Sequence, residues 1–296
     1  MGKTQADTTL EDAERMWLAG DLQQAREAYR RARLLYHESG DPGGEAGALT
    51  ALGDLEAESG HTFAAREAYI AARNLFARDA DQRDQAGILV RLGQIAHREG
   101  KEDEARQCYQ SARELYRSAS DYSGLGHVAR RQGAMERDLG RQDRALDFCT
   151  EALALYRRGN DTLGQANTLK TLALLHRQLG HNDEAHNDYE SALDLYREAG
   201  DALGEAGAQQ GLGHLLTAIG NADDAIGALE RASSLYGAAG HLQGEAEVLA
   251  DLGRLLAAEE AARARECFLH AARLFRRLGQ AERAAEADGE ALRLAP

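Results

Sequence analysis

Seven basic side chains, Arg91, Arg98, Arg130, Arg131, Arg137, Lys170 and Arg177, face a single acid, Asp138, when one set of positions is followed along the chain. The set is 47, 50, 51, 54, 57 and 58, advanced by forty residues into three successive segments. The whole chain holds 49 acids against 35 Lys and Arg, a formal charge of −14, so an even draw of positions would favour acids. Guanidinium groups bind carboxylates bidentately and keep their charge at any physiological pH. Gln94, His97, His127 and Asn167 add hydrogen-bonding groups beside them. These eleven residues are the candidate site, and the chemistry they predict is recognition of a carboxylate-bearing peptide. The alternative is that the arginines pair with acids on the neighbouring second helices, where exposed pairs contribute little to stability.

Other chemistries find no support. The chain has no GxxxxGK phosphate loop, no HExxH and no GxSxG, so no enzyme activity is expected. The five-residue step from His181 to His186 does not put two ligands on one helical face, and His176 reads as a hydrogen-bonded interior histidine. Cys108, Cys149 and Cys267 are widely spaced and odd in number, which suits neither a disulfide framework nor a CxxC site. No metal and no cofactor are expected. The acidic total disfavours nucleic acid as a partner, no apolar run reaches membrane-spanning length, and Met1 to Leu10 lacks the apolar core of a secretory signal. A cytoplasmic location is the expectation by elimination.

The basic positions share a phase because the chain repeats every forty residues. Gly20, Gly60, Gly100, Gly140, Gly180 and Gly220 fall at one phase, and Ala25, Ala65, Ala105, Ala145, Ala185 and Ala225 follow five residues later. Ala32 and Leu35-Tyr36 recur in the same way, down to a seventh copy, one residue short, at Ala271 and Leu274-Phe275. Within a copy the apolar steps are three and four residues, once through Ala46, Leu49 and Leu52 and again through Ala65, Tyr69, Ala72 and Leu75, so each copy is a helical hairpin. Gly60 can end the first helix at positive φ. Asp41-Pro42 reads as an N-cap and first helical residue, with Asp81, Asp121, Asp161 and Asp201 in the same capping place.

Glycine inside a helix costs about 1 kcal/mol against alanine. Gly53, Gly93, Gly133, Gly213 and Gly253 must therefore serve a close approach of the partner helix, with Ala173 taking that place in the fifth copy. Tyr29, Tyr69, Tyr109 and Tyr189 fill the wider gaps, and Cys149 and Leu229 read as core variation. One hairpin cannot bury enough surface to stand alone, so neighbours must stack. The expected units are 6–40, 41–80, 81–120, 121–160, 161–200, 201–240 and 241–279, with 280–296 a capping helix, all in one domain. Trp17 fits either a binding anchor or packing within the irregular first unit.

Leu52-Gly53, Gly60, Ala65, Tyr69 and Ala72 together resemble the tetratricopeptide repeat, whose standard unit is about 34 residues. The longer unit, with its joint at Gly200-Asp201 to Gly204-Glu205-Ala206, is similar to Leu-Gly-Asn-type repeats of G-protein-signalling scaffolds. Kinesin light chains and bacterial regulators carry related long units. Most copies here lack the family's early tryptophan, first-helix tyrosine and joint proline. The resemblance implies an all-α, right-handed solenoid whose first helices line a concave groove that binds peptides. The repeat array together with the basic positions makes a scaffold or adaptor that takes a protein or acidic peptide the first reading, with self-association through the end hairpins left open. The competing reading is a regulatory sensor whose superhelix changes shape on ligand binding.

Overall fold

The computed structural model describes residues 2–79 and 82–294, which places the expected Asp81 cap outside the described residues. Among the described residues there are fifteen α helices and no strand. The chain divides into two compact units, Met1–Arg141 and Gln142–Pro296. The first holds α1 (Gly2–Leu18), α2 (Leu22–Glu38), α3 (Pro42–Glu58), α4 (Thr62–Asp79), α5 (Gln82–Arg98), α6 (Glu102–Ser118) and α7 (Tyr122–Asp138). The second holds α8 (Gln142–Arg158), α9 (Thr162–Leu179), α10 (Asn182–Ala199), α11 (Ala202–Ala218), α12 (Ala222–Ala238), α13 (Leu242–Leu256), α14 (Ala261–Arg277) and α15 (Ala281–Arg293).

Each helix packs on the next within its unit, and first helices of neighbouring hairpins also touch, α5 on α7 and α11 on both α9 and α13. The small residues permit this. A Cβ on Gly53 would stand 2.5 Å from the Tyr69 ring, one on Gly93 2.7 Å from Tyr109, and one on Gly253 2.9 Å from Phe268. The second-helix alanines opposite, Ala65, Ala72, Ala105 and Ala112, are fully buried. A second glycine series, at the joints, faces the tyrosine that ends the preceding helix: Gly44 against Tyr36 and Gly204 against Tyr196. The same glycines give their N–H groups to the caps, Gly44 to Asp41 at 2.9 Å, Gly124 to Asp121 at 2.8 Å, Gly164 to Asp161 at 2.7 Å and Gly204 to Asp201 at 2.8 Å. At the last joint His241 Nδ1 takes over the role, accepting from Gly244 at 3.0 Å. α15 covers the end of the second unit, setting Ala284 and Ala287 on Phe275, over which Arg283 stacks at 4.3 Å.

Helix ends at the joints turn through positive φ at Gly40, Gly200 and Gly240, but Ser120 and Asn160 hold the same place at φ 54° and 53°. A side chain in that region costs about 1–2 kcal/mol, less for asparagine, and glycine loses about half of any gain to its freer unfolded chain. Ser120→Gly should therefore raise stability by about 0.5–1 kcal/mol, with Asn160→Gly nearer zero, as read from urea midpoints.

Candidate functional site

In the first unit, side chains from five helices close around a cavity of about 280 Å³. The first helices supply its polar wall at helical steps: Asp54, Ala57 and Glu58 from α3, Arg91, Gln94, Ile95 and Arg98 from α5, His127 and Arg131 from α7. Tyr69 of α4 and Trp17 of α1 complete it. Trp17 also meets Tyr29 edge-on at 6.2 Å between ring centroids, so it serves both the wall and the packing of the first hairpin.

Asp54 organises one side. Its Oδ1 accepts from Arg91 Nε at 2.7 Å and its Oδ2 from Arg91 Nη2 at 3.0 Å, a bidentate pair, while the Tyr69 hydroxyl donates to Oδ1 at 2.7 Å. Burial works against the charge on Arg91, but the bonds to Asp54 outweigh it and hold the guanidinium ionised. Burial and the neighbouring Asp54 carboxylate push the Tyr69 hydroxyl well above the ordinary phenol range, so it remains a donor. Arg91 is thus neutralised by an acid on a first helix, not by one on a second helix.

The opposite side differs. With its amide oxygen toward Arg131, Gln94 accepts from Nε at 2.6 Å and Nη1 at 3.0 Å. Arg131 Nε also reaches His127 Nε2 at 3.2 Å. Burial, then the charges of Arg131, Arg130 and Arg91, lower the His127 pKa to about 3, so the ring is neutral, accepting at Nε2 and carrying its proton on Nδ1. Arg98 Nη1 donates to the Ala57 carbonyl at 3.1 Å, near the C-terminal end of α3. Among the described residues the Arg98 guanidinium meets no carboxylate within 4.0 Å. A charged guanidinium held by a neutral carbonyl at the edge of a cavity can still take a carboxylate.

The remaining expected residues lie elsewhere. His97 Nε2 and Arg137 Nη2 stand 3.1 and 3.0 Å from the two oxygens of Asp138. Burial opposes the Asp138 charge, but these bonds hold its carboxyl below the usual range. Arg130 is half-buried on α7 outside the cavity wall, acting on it through the His127 ring. In the second unit, Lys170 and Arg177 line another cavity of about 280 Å³ with Leu174, Tyr189, Gln210 and His214. Lys170 Nζ also sits 5.3 Å above the Tyr196 ring. Asn167 is committed internally, accepting from the Tyr196 hydroxyl at 2.9 Å and donating to the Leu163 carbonyl at 2.9 Å. His176 Nδ1 lies 2.8 Å from Asp188.

The sequence reading passed over Asp54, Glu58 and Tyr69. Asp54 and Glu58 occupy the charge-bearing positions one copy before the segments in which the basic residues were counted. Tyr69 carried no such signal, because its periodicity marks it only as core. Among the described residues no three His, Cys, Asp or Glu side chains are grouped to hold a metal, and no helix is long and apolar enough to cross a membrane.

A tetratricopeptide-repeat family model matches residues 84–158 and 126–198. No curated protein sequence matches the chain. Among solved structures, BtubC (BKLC) from P. vanneervenii is similar at TM-score 0.59 and 22% identity, over 79% of this chain and 92% of that one. The apo form of the quorum sensor NprR from B. thuringiensis is similar at TM-score 0.67 and 16% identity, over 99% and 77%. The Rap conjugation gene regulator of plasmid pLS20, solved with the Phr* peptide, is similar at TM-score 0.62 and 17% identity, over 94% and 75%. At these identities the likeness is one of fold.

Proposed function

We propose that this chain, a tetratricopeptide-type repeat protein, holds a partner peptide as a scaffold or adaptor and takes a carboxylate of that peptide in the cavity between α3, α5 and α7. The observation that carries the reading is Arg98: a cationic fork at the cavity edge, to which the described residues offer a backbone carbonyl and no carboxylate, with Gln94 one turn away on α5 and Arg131 beside it from α7. Asp54 already satisfies Arg91, so Arg91 serves as a brace and Arg98 and Arg131 as the contacts to the incoming oxygen atoms. His127 adds no charge, which leaves recognition to groups that do not titrate near neutrality. A neighbour solved with a bound peptide, and another named a quorum sensor, support a peptide as the ligand class.

Fluorescence anisotropy with a labelled hexaglutamate peptide tests this. Arg98→Ala should weaken binding about tenfold or more, the range of a charge-assisted contact. Arg98→Glu combined with Arg131→Glu should remove binding while the helical circular dichroism stays unchanged. Undiminished binding by that double variant would overturn the reading. The same two neighbours favour a second reading, a sensor whose hairpins rearrange on binding. In that case peptide addition should shrink the radius of gyration measured by X-ray scattering.

A further inference from the structure

One position in the repeat changes size in a way that leaves space. Tyr29, Tyr69, Tyr109, Tyr189 and Phe268 place a ring at the same point of their second helices, each opposite a small residue of the first helix, but α8 has Cys149 there and α12 has Leu229. Leu229 packs against Gly213 as Tyr69 packs against Gly53. Its side chain ends where a ring would continue, and a cavity of about 360 Å³ opens beyond it, lined by His214, Thr217, Leu229, Asp251, Arg254 and Leu255.

The polar end of this cavity is built like the surroundings of Tyr69. In the first unit residues 54 and 91 form an ion pair across neighbouring first helices, and the Tyr69 hydroxyl rests on it at 2.7 Å. Their counterparts 160 residues later are His214 and Asp251, which stand 2.8 Å apart. The carboxylate has moved to the other partner, and residue 229, a leucine, brings no hydroxyl to the pair. The preceding copy shows how far a ring reaches: the Tyr189 hydroxyl would lie 2.6 Å from a Cβ on Gly211, and the residue forty places after Gly211 is Asp251. Thr217 does not compete for the place, since its hydroxyl is given to the Gly213 carbonyl at 2.8 Å. Burial opposes the Asp251 charge, yet the bonds from His214 and Arg254 hold its carboxyl below the usual range, leaving an ionised acceptor.

We infer that this cavity receives the tyrosine side chain of a partner peptide, the ring entering over Leu229 and Leu255 and the phenol donating to Asp251. The site is separate from the guanidinium cavity of the first unit and does not depend on it. An apolar wall with one acceptor at its far end favours a phenol over a phenyl ring by the worth of one hydrogen bond to a charged group.

The probe is N-acetyl-tyrosinamide, titrated against protein carrying labelled leucine methyl groups, with the phenylalanine and leucine amides as comparisons. Saturable shifts of the Leu229 and Leu255 methyls are expected, with the tyrosine amide binding about threefold or more tighter than the phenylalanine amide. Leu229→Tyr fills the cavity with the chain's own ring and should abolish binding without lowering the thermal midpoint. Asp251→Asn keeps the cavity open and should erase the preference for tyrosine over phenylalanine, which decides the matter if the first variant folds poorly. Absence of saturable shifts in the unaltered protein, equal binding of the leucine amide, or a tyrosine preference that survives Asp251→Asn would overturn the inference.

Discussion

Gly53→Val is expected to cost the first unit about 3 kcal/mol, although valine is the better helix former by a few tenths. A Cβ at this point would meet Tyr69 Cε1 at 2.5 Å and Cδ1 at 2.7 Å. The ring has little room to yield, since Tyr69 is 2% exposed and its hydroxyl is tied to Asp54 at 2.7 Å. Trp17 is the chain's one tryptophan and lies in the same unit, so its fluorescence in urea reports the loss directly. The fifth copy shows what relief looks like. Ala173 stands there in place of glycine, and Tyr189 lies against Gly211, where a Cβ would be 2.6 Å from its ring. The space missing at one wall has been opened at the other. Gly211→Ala should therefore destabilise by about 1–2 kcal/mol, and Ala173→Gly in the same chain should return part of that loss. An unchanged midpoint for Gly53→Val would mean that α3 and α4 can part without penalty.

Such compensation explains what the sequence could and could not disclose. The hairpins were legible because a forty-residue period repeats every signal: caps at Asp41, Asp121, Asp161 and Asp201, glycines at the turns, alanines where helices meet. Periodicity assigns a residue to a face, and for that reason Arg91, Gln94, Arg98, His127 and Arg131 were found together. It does not say how far a long side chain reaches. Arg91 entered the count as a binding cation, and only the geometry shows it spent on Asp54, 37 residues earlier. Asn167 likewise is turned inward by Tyr196. Ser120 and Asn160 escaped notice because a positive φ at a non-glycine residue leaves no mark in composition. Leu229 looked like ordinary core variation, and the space beyond it appears only when the first helices on either side are in place.

Glu56→Ala is expected to cost about 3 kcal/mol or more, the usual result of stranding one member of a buried ion pair. Glu56 of α3 is 4% exposed and joins the first hairpin to the second. It accepts from Arg26 Nε at 2.7 Å and Nη2 at 3.2 Å, and His61 Nδ1 lies 2.8 Å from its Oε2. The Arg26 side chain is itself only 14% exposed, so without Glu56 its charge is left with little water to replace the carboxylate. Replacing both residues, by Arg26→Met with Glu56→Leu, should recover most of the loss, because two apolar side chains strand no charge. The same pair sets an acid limit. Burial alone would raise the Glu56 carboxyl, but the bonds from Arg26 and His61 outweigh it and the folded pKa lies below the ordinary value. A depressed carboxyl stabilises the fold above the unfolded pKa of about 4.3, and that contribution fades as pH falls through the lower folded value. The Trp17 unfolding midpoint of the unaltered protein should thus drop steeply below about pH 4, and Glu56→Gln should show a lower midpoint at neutral pH with a shallower acid decline. Equal acid slopes in the two proteins would remove Glu56 as the group that holds α2 to α3.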